Sequence, residues 1–386
     1  MTPLRGDGKL HASRGDESSE EGKGKGTMKI GILGLAKAGK TTVFDLLSIS
    51  GGIPKSSGAK AEAHIGIIKV PDPRLEELVA MFQPQKVVSA TIEYQDLPPL
   101  SKGTAKTDSQ LLGQLRPMDA LLEVVRCFDD PRVPHAEGSI GPRRDVGFID
   151  DELLLADLEV IERRLQRIEL DYKRGKKEDK EREFPTLKLC QDQLGAGRPL
   201  RDYPMPRESW SILHGYQLLT AKPLILLLNL DEEQWARREG FHEGFQDLLK
   251  YRQTALVELC AKLELEISQL GKEEQGEFMR EMGIAELSLS CLIRASYDLL
   301  GLISFFTYMN EEVRAWTLPQ GSTALEAAGT IHTDLARGFI RAEVIPFADL
   351  KGAGSLVAAR KKGLLRLEGK EYLVQDGDVI AVRFHV

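Results

Sequence analysis

Residues 34–41 read Gly-Leu-Ala-Lys-Ala-Gly-Lys-Thr and fit the pattern G-x-x-x-x-G-K-[ST] without a mismatch. The apolar run at residues 30–33 suits a buried strand, and Val43, Phe44, Leu46 and Leu47 recur at helical spacing after it. Strand, glycine loop and helix together are the setting in which this string wraps a phosphate. The backbone N–H groups of such a loop turn inward at a helix N-terminus and form a nest for anions. Gly34 and Gly39 permit backbone angles and close approaches that a Cβ would block. Lys40 then reaches the β- and γ-phosphates, and the Thr41 hydroxyl is placed to hold Mg²⁺. A chain built around this stretch is expected to be an α/β protein, with a mixed, mostly parallel sheet flanked by helices.

The 386 residues suffice for two or three domains, and 42% hydrophobic with 29% charged residues is an ordinary globular composition. A net charge of −7 argues against a generally basic nucleic-acid binder. The four cysteines, Cys127, Cys190, Cys260 and Cys291, lie far apart with no C-x-x-C pair, which fits a reduced, cytoplasmic setting without a cysteine metal site. A redox role for Cys127 or Cys260 is a weak reading, because thiols in apolar runs are usually inert. No apolar run reaches membrane-spanning length, so no membrane partner is expected. Residues 1–27 carry almost no large apolar side chain and are expected to be a disordered tail outside the fold, without a secretory signal.

Beyond the first helix, residues 51–63 form a small-residue loop, and residues 65–70 read as a strand closed by Pro71-Asp72-Pro73. A short amphipathic helix follows, marked by Leu75, Leu78, Val79 and Phe82. Residues 91–95 form another strand leading to Asp96. Asp96 has two open readings, a second residue on the metal side of the phosphates or a turn-former before prolines. Residues 120–128 (ALLEVVRCF) suit a buried strand, and residues 129–148 read as a linker rich in Pro, Gly and charge. From about residue 149 apolar residues recur at helical spacing, a charged run KRGKKEDKERE follows, and a second helical stretch begins at Leu187. Two helices around a charged tip read as an inserted α-hairpin or short coiled coil. The tip is read first as solvated, with a ribosome or nucleic-acid contact as the alternative.

Residues 222–229 return to a fully buried strand that ends in Asn229-Leu230-Asp231-Glu232. In P-loop GTPases the matching strand ends in N-K-x-D, whose aspartate bonds guanine. Here the lysine is Leu230 and the aspartate is Glu232, so guanine discrimination is expected to weaken in favour of ATP or a relaxed base choice. Cys260-Ala261-Lys262 stands where that superfamily has its (S/C)-A-K base loop. The C-terminal residues give a helix at 324–335 and short strands at 313–317, 341–345, 363–367, 372–374 and 379–384, a compact β-grasp-like pattern.

These stretches resemble the YchF/Obg-like ATPases, within the translation-factor-related P-loop GTPases. The resemblance runs from residue 28 to residue 386 and is most specific at HIGIIKVPDPRL (64–75), VVRCF (124–128), NLDE (229–232), EVRAWT (312–317), IHTDLARGFIRAEVI (331–345) and the closing residues 367–386. Beyond the tail at 1–27, it implies a G-domain at 28–148 and 206–302, a helical insertion at 149–205 and a TGS domain at 303–386. It also implies a cytosolic protein that binds ATP and GTP with Mg²⁺, prefers ATP, hydrolyses it slowly and associates with ribosomes. Carried over by residue, Lys37, Ala38, Gly39, Lys40, Thr41 and Thr42 match the phosphate-binding segment, with Thr41 the metal ligand. Asn229, Leu230 and Glu232 match the adenine-side motif, joined by Cys260, Ala261 and Lys262. Lys40 and Asp96 are the catalytic candidates.

Two departures bear on catalysis. The family's phosphate-sensing D-I-A-G-L is here Asp96-Leu97-Pro98-Pro99-Leu100, and Pro99 has no N–H to offer a γ-phosphate. Leu100 falls near the place where GTPases keep a water-orienting glutamine, and the family carries a hydrophobic residue there. The switch threonine falls at Lys60, and the glycine-rich switch is replaced by residues 101–106. Two functions stand on these residues: a slow, ribosome-associated ATPase switch, or a hydrolysis-deficient nucleotide-binding partner of ribosome or RNA. For the second, Arg337, Arg341, Arg360, Lys361, Lys362 and Arg366 are a candidate phosphate-facing set.

Overall fold

The computed structural model describes residues 28–51, 64–100, 105–174, 182–238, 243–250 and 253–385. The expectations for residues 1–27, for Lys60 and for residues 101–104 lie outside them. Twelve strands form two sheets of six. They are β1 (Lys29–Leu33), β2 (His64–Lys69), β3 (Lys86–Val88), β4 (Thr91–Asp96), β5 (Ala120–Arg126), β6 (Leu224–Asn229), β7 (Thr254–Leu259), β8 (Leu302–Met309), β9 (Glu312–Pro319), β10 (Phe339–Pro346), β11 (Arg366–Glu368) and β12 (Asp378–Phe384).

The first sheet has the order β2-β4-β1-β5-β6-β7. All its pairings are parallel except β2 with β4. Its central strands are apolar on both faces because helices cover both, and β5 and β6 are buried at every residue. One cluster lies under the Lys40–Gly51 helix and includes Ile30, Ile32, Val43, Leu46 and Leu47. Another lies on the opposite face and includes Leu33, Leu121, Val125, Leu226 and Leu228.

The expected helical insertion is a hairpin of Pro142–Lys173 and Glu183–Gly195, closed on an apolar core of its own that contains Ile161, Leu165, Leu187 and Cys190. The linker reading of residues 129–148 needs correction, because the first long helix starts at Pro142. Proline is favoured at the first helical position, where its missing N–H is not needed. The pair Gly141-Pro142 therefore opens the helix rather than extending the loop.

The second sheet has the order β11-β10-β12-β8-β9-β3. Its outer member β3 comes from the N-terminal half and pairs with β9 in parallel, Val87 opposite Val313. The helix expected at 324–335 is two, Ala324–Ile331 and Thr333–Arg337, split where His332 is extended and its Nδ1 accepts from the Asp334 N–H. The strand expected at 372–374 is a single bridge between Leu373 and Thr323. The Tyr372 N–H is used in a turn back to Gly369 O, which leaves too little extended chain for a ladder.

The two sheets share a core, since the cluster holding Ile30 and Leu46 also holds Phe306, Val313, Ile345 and Val379. Phe82 stacks on Tyr308 with centroids 4.2 Å apart. Arg74 binds Asp72 and Asp376, and the Asp376 carboxylate also accepts from the Ser304 N–H.

Candidate functional site

The loop from Gly34 to Gly39 joins β1 to the Lys40–Gly51 helix at the carboxyl end of the parallel strands, where open α/β sheets bind ligands. Both glycines are required by the geometry. Gly34 has φ +148°, and a Cβ there would lie 2.6 Å from Val124 O. Gly39 has φ +96°, and a Cβ there would lie 2.2 Å from Asn229 Nδ2. Lys37 also takes a left-handed φ of 65° and is exposed, whereas Ala38 is buried. Thr42 is half-buried behind Thr41.

Lys40 is only 8% exposed. Burial pushes its ammonium down to about 8, against the opposing pull of the nearby Asp96 carboxylate. The Thr41 hydroxyl donates to Asp96 Oδ2 at 3.4 Å, and Asp96 Oδ1 is buried with no hydrogen-bond partner among the described residues. Burial raises the Asp96 carboxyl above its usual range, while Lys40 and Thr41 draw it back. A buried acceptor beside a hydroxyl at the mouth of an anion nest is the donor set a hard cation takes. Residues 40, 41 and 96 thus converge from β4 and the first helix.

The segment after Asp96 closes on the start of the loop. The Leu100 N–H donates to Gly34 O at 3.2 Å, and Leu100 pairs as a bridge with Leu35. Leu100 is 1% exposed and packs in the apolar cluster with Leu33 and Leu35. The Leu100 N–H is spent on Gly34 and Pro99 has none, so neither donates to a phosphate.

The base-side residues divide in two. Asn229 spends its side chain on the scaffold: Nδ2 donates to Ala38 O at 2.9 Å, and Oδ1 accepts from the Ala261 N–H at 3.3 Å. It ties the phosphate loop to the 260–262 loop. Leu230, Cys260 and Ala261 are buried. Burial pushes the Cys260 thiol up to about 11 and the Cys127 thiol up to about 12, so neither is a reactive thiolate. The exposed members are Glu232 and Lys262, joined by an ion pair of 3.3 Å.

Sequence reasoning missed Phe128, which closes the buried VVRCF run. Its ring edge comes to 3.9 Å from the position of a Gly39 Cβ, and the Arg126 guanidinium lies 4.3 Å from its ring centroid. An aromatic residue at the carboxyl end of a central strand was the available signal.

The YchF-GTPase_C family, described as a protein of unknown function (DUF933), matches residues 302–385. The ribosome-binding ATPase YchF of Bacillus subtilis (strain 168) is 38% identical over 365 residues, covering 92% of this chain and 99% of its own length. That of Escherichia coli O157:H7 is 37% identical over 363 residues, covering 93% and 99%. The structure of the Schizosaccharomyces pombe YchF GTPase superposes with a TM-score of 0.81 at 28% identity, over 94% of this chain and 99% of the other. At 37–38% identity over more than nine-tenths of both chains, the chain belongs to the YchF family.

Proposed function

We propose that the protein binds Mg-ATP at residues 34–42, hydrolyses it slowly and works in association with the ribosome. The observation that carries the nucleotide reading is the convergence of buried Lys40, Thr41 and the half-satisfied Asp96 on one anion nest. Lys40 and the loop N–H groups grip the triphosphate. Thr41 and Asp96 are the residues that would hold Mg²⁺, which neutralises charge on the phosphates. Phosphoryl transfer asks mainly for positioning and charge neutralisation, so these groups suffice for slow turnover. Preference for ATP is supported by Glu232, which stands where guanine-binding relatives of this fold class carry an aspartate and whose carboxylate pairs with Lys262. The ribosome enters from the printed names of the bacterial relatives.

A second reading is a nucleotide-gated binding protein without turnover. It is favoured by Pro99, which lacks an N–H to offer a γ-phosphate. An RNA contact through the C-terminal basic set has weaker support. Arg337, Arg360 and Arg366 each lean on a carboxylate, Asp334, Glu343 and Glu368.

Calorimetric titration with Mg-ATP and Mg-GTP, followed by phosphate release from the same samples, separates the readings. Release above a Lys40→Ala control supports the ATPase. Tight binding without release supports the gated partner. No binding of either nucleotide overturns both. Co-sedimentation with ribosomes at low salt, with and without nucleotide, tests the partner.

A further inference from the structure

β5 is buried at every residue, yet its centre is Glu123. The side chain shares a sheet face with Leu121 and Val125, opposite Leu33 on β1 and Leu226 on β6. It is 1% exposed, and both carboxyl oxygens lack a hydrogen-bond partner among the described residues. Arg126 Nη1, on the same strand, is likewise buried and unpartnered among them. Glu123 borders a cavity of about 10 Å³, room for one water molecule. One wall of that cavity is the back of the phosphate loop, Leu35, Ala36 and Ala38, and the other is Arg126, His135 and Asp145.

The far wall is the root of the helical hairpin. Asp145 lies in the first turn of Pro142–Lys173, 3.0 Å from His135 Nε2 and 2.8 Å from Arg144. Asp150 follows on the same helix, with Arg201, returning from the hairpin, 4.0 Å away. We propose that Glu123 is a positioning residue for phosphate binding: across the one-water cavity its carboxyl couples residues 35–38 to the root of the helical hairpin. The inference rests on the reading of that loop as the triphosphate grip.

The coupling has a definite sign. As the neutral acid, Glu123 can donate across the cavity and adds no charge behind the nest. As the anion it puts a negative charge, poorly screened by solvent, behind a loop that must hold another anion. Burial strongly favours the neutral form. Among the charged groups facing it, Asp150 and Asp145 favour that form too, and Arg201 opposes it. His135 and Arg126 are the remaining titratable and charged groups of the cavity wall. Rising pH therefore weakens the phosphate grip through Glu123, separately from the loss of charge at Lys40.

The test compares Mg-ATP dissociation constants of the wild-type chain, Glu123→Gln, Glu123→Leu and Lys40→Ala from pH 6 to pH 9, with thermal melting of each in the same buffers. Glutamine keeps the shape and a donor without the charge; leucine keeps neither donor nor acceptor. Titration of Lys40 is common to the first two and cancels in their ratio. Wild type and Glu123→Gln should bind alike where the carboxyl is neutral, and wild type should fall behind as pH rises and the carboxyl ionises, by about five-fold or more, the lower end of ordinary coupling between sites. Glu123→Leu, still folded by melting, should bind weakly throughout. If Glu123→Gln tracks wild type at every pH while Lys40→Ala is weak, Glu123 is not coupled to the loop and the inference falls. If Lys40→Ala binds as wild type does, the phosphate reading itself falls.

Discussion

The two six-stranded sheets handle buried polarity in opposite ways. In the C-terminal sheet the polar groups that go inside are satisfied. Tyr297 Oη lies 3.0 Å from Ser304 Oγ, Tyr372 Oη donates to the buried Asp378, and the Trp316 indole donates to Thr307. Around the first sheet, Asp96, Glu123 and Arg126 each keep a buried polar atom without a hydrogen-bond partner among the described residues. A buried polar group left unpaired costs about 1–3 kcal/mol, so such groups persist where something other than stability holds them. Asp96 lies in front of the phosphate loop, and Glu123 and Arg126 line the cavity behind it. The comparison teaches that the first sheet is organised for a charge still to arrive, and the second for holding its own shape.

The sharpest way to break this division is Gly39→Ala. The added Cβ meets Asn229 Nδ2 at 2.2 Å in a backbone conformation that disfavours any side chain. Mg-ATP affinity measured by calorimetry should fall about 100-fold or more, and melting should fall as well, because a side chain in that conformation costs about 1–3 kcal/mol. In the second sheet, Asp376→Ala should act on stability alone. It removes an acceptor shared by the Ser304 N–H and Arg74, costing about 1–3 kcal/mol in a denaturant titration, while ATP affinity stays within about two-fold.

Glu123→Gln sharpens the comparison from the stability side. A carboxyl whose proton is held more tightly in the fold stabilises fully below the unfolded value, and that contribution is lost as pH rises towards the folded one. Denaturant midpoints of wild type should therefore fall relative to Glu123→Gln from about pH 5 upwards, by at most about 1.4 kcal/mol per pH unit. The smallest effect is expected at Lys262→Ala. Its ion pair with Glu232 is solvent-exposed, so stability should move by less than about 1 kcal/mol and ATP affinity by no more than about three-fold.

What the sequence made legible follows from how local each feature is. The phosphate loop is eight contiguous residues whose chemistry fixes their geometry, so Gly34, Gly39, Lys40 and Thr41 stand where the motif places them. Asp96 was left open between a metal-side residue and a turn, because only the parallel pairing of β1 and β4 brings it to Thr41. The motif names Asn229 but not its tie between the phosphate loop and the 260–262 loop, which only the fold brings together. β3 has three residues and a partner strand far along the chain, so no periodicity could announce it. Glu123 did leave a trace, a lone carboxyl inside ALLEVVRCF, but that trace became a site only once the loop and the hairpin root were seen to meet around it.

The three residues of β3 bear on how the molecule can be taken apart. They are a stitch: a piece of the N-terminal half sewn along the rim of the C-terminal sheet. Cutting the chain near residue 302 to harvest the last sheet alone would unpick it and leave β9 with a bare row of backbone donors and acceptors. Such a rim invites pairing with other copies. The C-terminal fragment should therefore come out of cells as aggregate, whereas the same fragment supplied with residues 73–96 in trans regains a covered edge.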